Sequence, residues 1–187
     1  MADVEAIATK RLEADSSSIQ IDLIPTTYRH LQVRCSLIGN RADYASDTLV
    51  LRFATNGGSI DTSSNYSDQA MIGHWGNGES CFATGLGNTL DMYRIGAYSR
   101  GYYPMGVLVW DIIDYSATTK NKSLVGVGGV SGQYSSHSND RIIGMSGGCY
   151  NASGSGSAIT SLQVYPTDGN LLLRGSVLSV YGWKDNS

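Results

Sequence analysis

Two stretches of this sequence carry residue types that could do covalent chemistry. Gly144-Met145-Ser146-Gly147-Gly148 matches the G-x-S-x-G pattern of a nucleophile elbow. That motif works when a strand leads into the serine and a helix leaves it, because the sharp turn is what exposes the hydroxyl. Here the chain continues as CYNASGSGS, residues 149–157, which is no helix former. The α/β-hydrolase order also needs a histidine after the serine, and His30, His74 and His137 all precede it. The expectation is a glycine-punctuated strand. Asp111 and Asp114 flank Ile112-Ile113 and could form a glycosidase pair. At that spacing on a strand the two side chains point to opposite faces, so strand-end and turn chemistry is expected instead.

Metal and phosphate chemistry fare no better. His30 falls on the outward face of an alternating run, and His137 lies in the polar stretch SSHSND. Neither has a partner at ligand spacing, and there is no C-x-x-C or H-E-x-x-H. Gly126-Val127-Gly128-Gly129 precedes no helix, so it is expected to mark a bulge or close strand packing, not a phosphate cradle. Cys35, Cys81 and Cys149 are far apart and odd in number. They read as buried reduced thiols of a protein made in a cytoplasm, with a disulfide as the competing arrangement. No catalytic residue, cofactor or metal is predicted. Asn65, Asn121 and Asn151 begin N-x-S/T sequons, which read as chance because the N-terminus lacks a secretory leader.

The elements that would position any site are strands. Tyr28 to Ile38 alternates most clearly, with Leu31, Val33, Cys35 and Leu37 inward and His30, Gln32, Arg34 and Ser36 outward. Ser18 to Ile24 alternates with Ile19, Ile21 and Leu23 on one face, and Thr48 to Ala54 is a third strand. Thr55 to Ser67 and residues 76–90 read as loops, and Ala70 to Trp75 as a further strand. Met105 to Tyr115 (MGVLVWDIIDY) is nearly continuous apolar, which predicts a central strand covered on both faces. Leu90 to Tyr98, Lys122 to Val130, Arg141 to Tyr150, Ala158 to Tyr165 and Leu172 to Trp183 complete the set. The prediction is an all-β, jelly-roll-like antiparallel sandwich of roughly 8–10 strands over residues 16–187. Residues 1–15 form an N-terminal arm, helical with Val4, Ile7 and Leu12 on one side, or extended.

Composition narrows the function classes. The chain has 187 residues, with 23 Gly, 12 Tyr, only 3 Pro and 16% charged residues. The length suits one domain, and few long charged helices can cover it. The net charge is -3 with no basic run, which argues against nucleic acid as a partner. No apolar stretch approaches membrane-helix length. Tyr93, Tyr98, Tyr102, Tyr103, Tyr115, Tyr134 and Tyr150 fall around loops and strand ends, where tyrosine suits binding surfaces; the alternative is that most are ordinary strand residues.

Three segments together carry a family likeness: IPTTYRHLQVRCSLIGNRA (24–42), VLVWDIIDYSATTKNKSL (107–124) and AITSLQVYPTDGNLLLRGSVLSVYGW (158–183). Their order resembles a group of bacteriophage virion proteins with a jelly-roll-like β-sandwich. An I-P-x-x-Y-x-H-L opening and an I-T-S-x-x-x-Y-P, G-N, G-S, S-x-Y-G ending recur in that group. The resemblance implies a head decoration (cement) protein or a small tail or fibre component, often trimeric, with no catalytic residues. The partners it implies are the major capsid protein or other virion proteins, for a virion protein made in the host cytoplasm. The segment Leu171-Leu172-Leu173-Arg174 departs from the mixed composition expected there. With Val4, Ile7 and Leu12 of the arm, Leu171, Leu172 and Leu173 are the expected assembly contacts. The alternative, a tail module that recognises host glycans, would use Trp75, Tyr102 and Tyr103.

Overall fold

The computed structural model describes residues 3–42, 46–74, 78–97, 105–131, 141–151 and 156–184. Twelve strands lie among them: β1 Val4–Arg11, β2 Ile19–Ile21, β3 His30–Gly39, β4 Ser46–Thr55, β5 Tyr66–His74, β6 Gly78–Gly87, β7 Leu90–Ala97, β8 Gly106–Ile113, β9 Lys122–Ser131, β10 Arg141–Tyr150, β11 Ile159–Pro166 and β12 Val177–Trp183. The larger layer runs β1-β12-β3-β8-β9-β10-β5-β6, antiparallel throughout. The smaller layer runs β2-β11-β4-β7 and joins the larger through a short parallel pairing of β7 with the end of β3. The architecture is the all-β, jelly-roll-like sandwich expected from the alternation.

Period-two patterning builds the core. Leu31, Val33, Cys35 and Leu37 of β3 face Leu49, Leu51 and Phe53 of β4 and Ile159, Leu162 and Val164 of β11 across the interior, all of them buried. β7 lies close against the larger layer because glycines make room for it. A Cβ on Gly148 would sit 2.5 Å from Leu90 Cδ2, and one on Gly106 would sit 2.6 Å from the Ile95 Cα. Phe53, Tyr66 and Tyr150 form one interior aromatic group, with the two tyrosine rings stacked at 4.8 Å. Tyr115 is also interior, so Tyr115 and Tyr150 are core residues and not part of a binding surface.

Several expectations change. Residues 4–11 are extended and pair along β12, with a register shift between Ala6 and Ala8, so the helical alternative does not form. Residues 78–87, expected as loop, form β6; among the described residues it pairs with β5 alone and none of its residues is buried, so no buried face imposes an alternating pattern on it. Leu23 does not join Ile19 and Ile21 on the inner face. Its backbone turns to φ 57° and leaves the side chain 91% exposed. The run around β8 is covered on one face only: Leu108, Trp110 and Ile112 are interior, while Val107 and Ile113 are exposed.

Candidate protein-docking face

The outer face of the larger layer is read directly from strand register. Arg34 stands opposite Val109, Val109 opposite Val127, Val127 opposite Met145, Met145 opposite Met71, and Met71 opposite Cys81. These residues form one cross-strand row, because directly paired positions on neighbouring strands share a face. Val127 is 51%, Met145 55% and Met71 59% exposed. Val125, Val107 and Ile143 flank the row and are exposed too. Charge enters at the margins, at Arg34, Asp111 and Glu79. A depression of about 750 Å³ opens on this face, lined by Met71, Cys81, Val125, Met145 and Gly147.

The residues behind this depression set its electrostatics. Asp68 projects inward from β5, is buried, and has one carboxylate oxygen without a hydrogen-bond partner. Burial pushes its pKa up to about 6, with the nearby Asp91 carboxylate adding to the rise. Burial raises Asp91 as well. Ser146 also points inward, its Oγ 3.5 Å from the Met92 carbonyl oxygen. The serine of the G-x-S-x-G stretch therefore sits in the middle of a regular strand, on the interior side.

The remaining candidates are structural in their contacts. Asp111 accepts the Gln32 amide at 2.9 Å, and Gln32 in turn accepts Arg34 Nε at 2.7 Å. Asp114 occupies a left-handed turn position and accepts Arg29 and Lys120, each at 3.3 Å. His30 Nδ1 accepts the Asp114 backbone N–H at 2.9 Å, which commits that lone pair. Among the described residues no group of three or more His, Cys, Asp or Glu is placed to hold a metal ion. Cys35 is buried, Cys149 is half-buried and Cys81 is exposed, so the expectation of three buried thiols holds only for Cys35.

The expected assembly contacts divide. Leu12 and Leu172 are interior, 7% and 0% exposed, and Leu12 N–H is tied to the Ser176 carbonyl. Both belong to the core and offer no surface to a partner. Leu171 and Leu173 are half-buried, Val4 is exposed, and Ile7 packs partly on the core. Leu173 lines a second cleft with Arg11, Ile38, Met105 and Arg174. Trp75, Tyr102 and Tyr103 lie outside the described residues, as do Tyr98, Tyr134 and His137. The sequence reading missed the outer row. Its signal was the apolar run at residues 107–113, which reads as a strand covered on both faces within one chain.

No protein-family model matches the chain, and no curated protein matches it. Weak similarity to solved structures is found. The carbohydrate-binding module CBM40 of the Ruminococcus gnavus IT-sialidase, bound to alpha2,6 sialyllactose, aligns at TM-score 0.32 and 12% identity over 94% of this chain and 92% of that one. The carbohydrate recognition domain of Emp46p, in a point-mutant form, aligns at 0.27 and 11% over 88% and 87%. The infectious bursal disease virus VP2 subviral particle aligns at 0.15 and 10% over 97% of this chain and 41% of that one. At these values the likeness assigns neither a ligand nor an assembly.

Proposed function

We propose that this chain is a non-catalytic structural component of a bacteriophage particle, a capsid decoration (cement) protein that grips a protein partner through the outer face of its larger layer. One observation carries the reading. The run at residues 107–113 has the composition of a strand buried on both sides, yet the chain itself covers one side and leaves Val107, Val127, Met145 and Met71 in solvent. Contiguous exposed apolar surface of this kind marks a site of association. The particle context rests on the resemblance carried by residues 24–42, 107–124 and 158–183. Ser146 turned inward and His30 committed to a backbone N–H support a role without catalysis.

The experiment is binding of purified protein to undecorated capsids, comparing the native chain with Val127→Glu and Met145→Lys. Both side chains are exposed, so the fold tolerates the changes. Loss of binding with unchanged melting temperature supports the reading, and undiminished binding by both variants sinks it. Deleting residues 1–15 is a poorer test, because it removes the β1 edge and the buried Leu12.

A further inference from the structure

Sheets protect their edges, and among the described residues β1 and β2 are protected where β6 is not. β1 carries Glu5, Lys10 and Arg11 and has a register shift, while β2 is only three residues long. Charges, irregularities and shortness are the usual means of blocking edge-to-edge pairing. β6 is less protected over residues 78–84. It is paired on one side only among the described residues, is regular against β5 from Gly78 to Thr84, and carries a single charge, Glu79. Phe82 and Cys81 are exposed on it.

We propose that β6 pairs with β6 of a second copy of this chain, antiparallel and about a two-fold axis. Three features of β6 favour its own copy as the occupant. The regular stretch 78–84 is centred on Cys81, so the register using all of it sets Cys81 opposite Cys81 of the second copy. That register sets Glu79 opposite Ala83, whereas parallel pairing would set Glu79 against itself. Finally, Cys81 ends the outer row Val127–Met145–Met71–Cys81, so pairing there runs one apolar row without a break across both copies. A two-fold contact of this kind closes on itself and makes a dimer, where the sequence resemblance implies a trimer. The proposal concerns self-association and stands or falls apart from the capsid-binding role of the face.

The test uses the full chain in analytical ultracentrifugation and thiol cross-linking. The native protein should sediment as a dimer. Cys81→Lys places two lysines opposite each other and should raise the dimer dissociation constant about tenfold or more. Mild oxidation should link the native dimer through Cys81, because paired antiparallel positions lie about 4.5–5.5 Å apart at Cα, within disulfide reach. Cys81→Ser should abolish the link, and Cys149→Ser should preserve it. A native protein that stays monomeric at micromolar concentration overturns the proposal. So does a dimer that survives Cys81→Lys and never cross-links through Cys81, which would place the contact on another surface.

Discussion

The Trp110 indole lies flat against Gly126, its cross-strand partner on the inner face of the larger layer. A Cβ on residue 126 would meet Trp110 Cγ and Cδ2 at 2.5 Å, and Trp110 is fully buried. The ring cannot swing away, because interiors at native density hold no free volume for it. Gly126→Ala should therefore destabilise the fold by about 1–3 kcal/mol, the usual range for overpacking. Gly85→Ala is the control, since nothing lies within 4 Å of a Cβ there. Urea unfolding of both variants checks the difference; equal midpoints would mean that the indole yields.

A second prediction concerns Tyr66. Its hydroxyl donates to the Asp61 carbonyl at 3.0 Å and accepts the Phe53 N–H at 3.1 Å, inside the aromatic group. Tyr66→Phe leaves that buried N–H without an acceptor, at a cost of about 1–3 kcal/mol. Tyr150→Phe should cost less, because the Asp61 carboxylate that Tyr150 contacts also accepts Asn65 and the Ser63 N–H. Thermal melts of the two single variants give the order, and a larger loss at Tyr150 would contradict the assignment.

The same contacts explain how much was legible beforehand. β3 was readable because one of its faces lies in the core, which imposes alternation on Leu31, Val33, Cys35 and Leu37. β6 was not, because none of its described residues is buried and a strand without a buried face carries no pattern. Leu23 was misplaced because a single left-handed residue rotates everything after it, and no glycine or asparagine signals the turn. The candidate face was legible in composition and hidden in meaning. Val107 to Ile113 read as a strand covered twice, but a sequence cannot say whether the second cover belongs to the same chain.

Leu23 gives a third prediction. A left-handed conformation costs a branched side chain about 1–2 kcal/mol, and asparagine tolerates it better. With the side chain 91% exposed, no core contact is lost on substitution. Leu23→Asn should raise stability by about 0.5–1 kcal/mol, measured by urea unfolding. A loss of stability would show that Leu23 makes contacts that outweigh its backbone strain.

The pH dependence of stability follows from two interior carboxylates. Burial pushes Asp47 up to about 6, and burial with the Asp91 charge pushes Asp68 up to about 6. Each has one carboxylate oxygen without a partner, so the charged form is poorly solvated. In the unfolded chain both titrate near the ordinary aspartate value of about 3.9. Between those values the folded state binds protons that the unfolded state does not, so stability rises as pH falls from above 6 toward 4. Asp61 runs the other way: its hydrogen bonds from Asn65 and Ser63 outweigh its burial and lower its pKa, so its contribution is lost only at more acidic pH. The expected profile is a gain of about 1–3 kcal/mol between pH 7.5 and pH 4.5, followed by a fall in stronger acid. Asp68→Asn should raise stability at pH 7.5 and remove part of that slope, since the amide needs no proton to be buried. Urea titrations of the native chain and Asp68→Asn at the two pH values test this. A flat native profile, or a slope unchanged in the variant, would show that Asp68 stays solvated when charged.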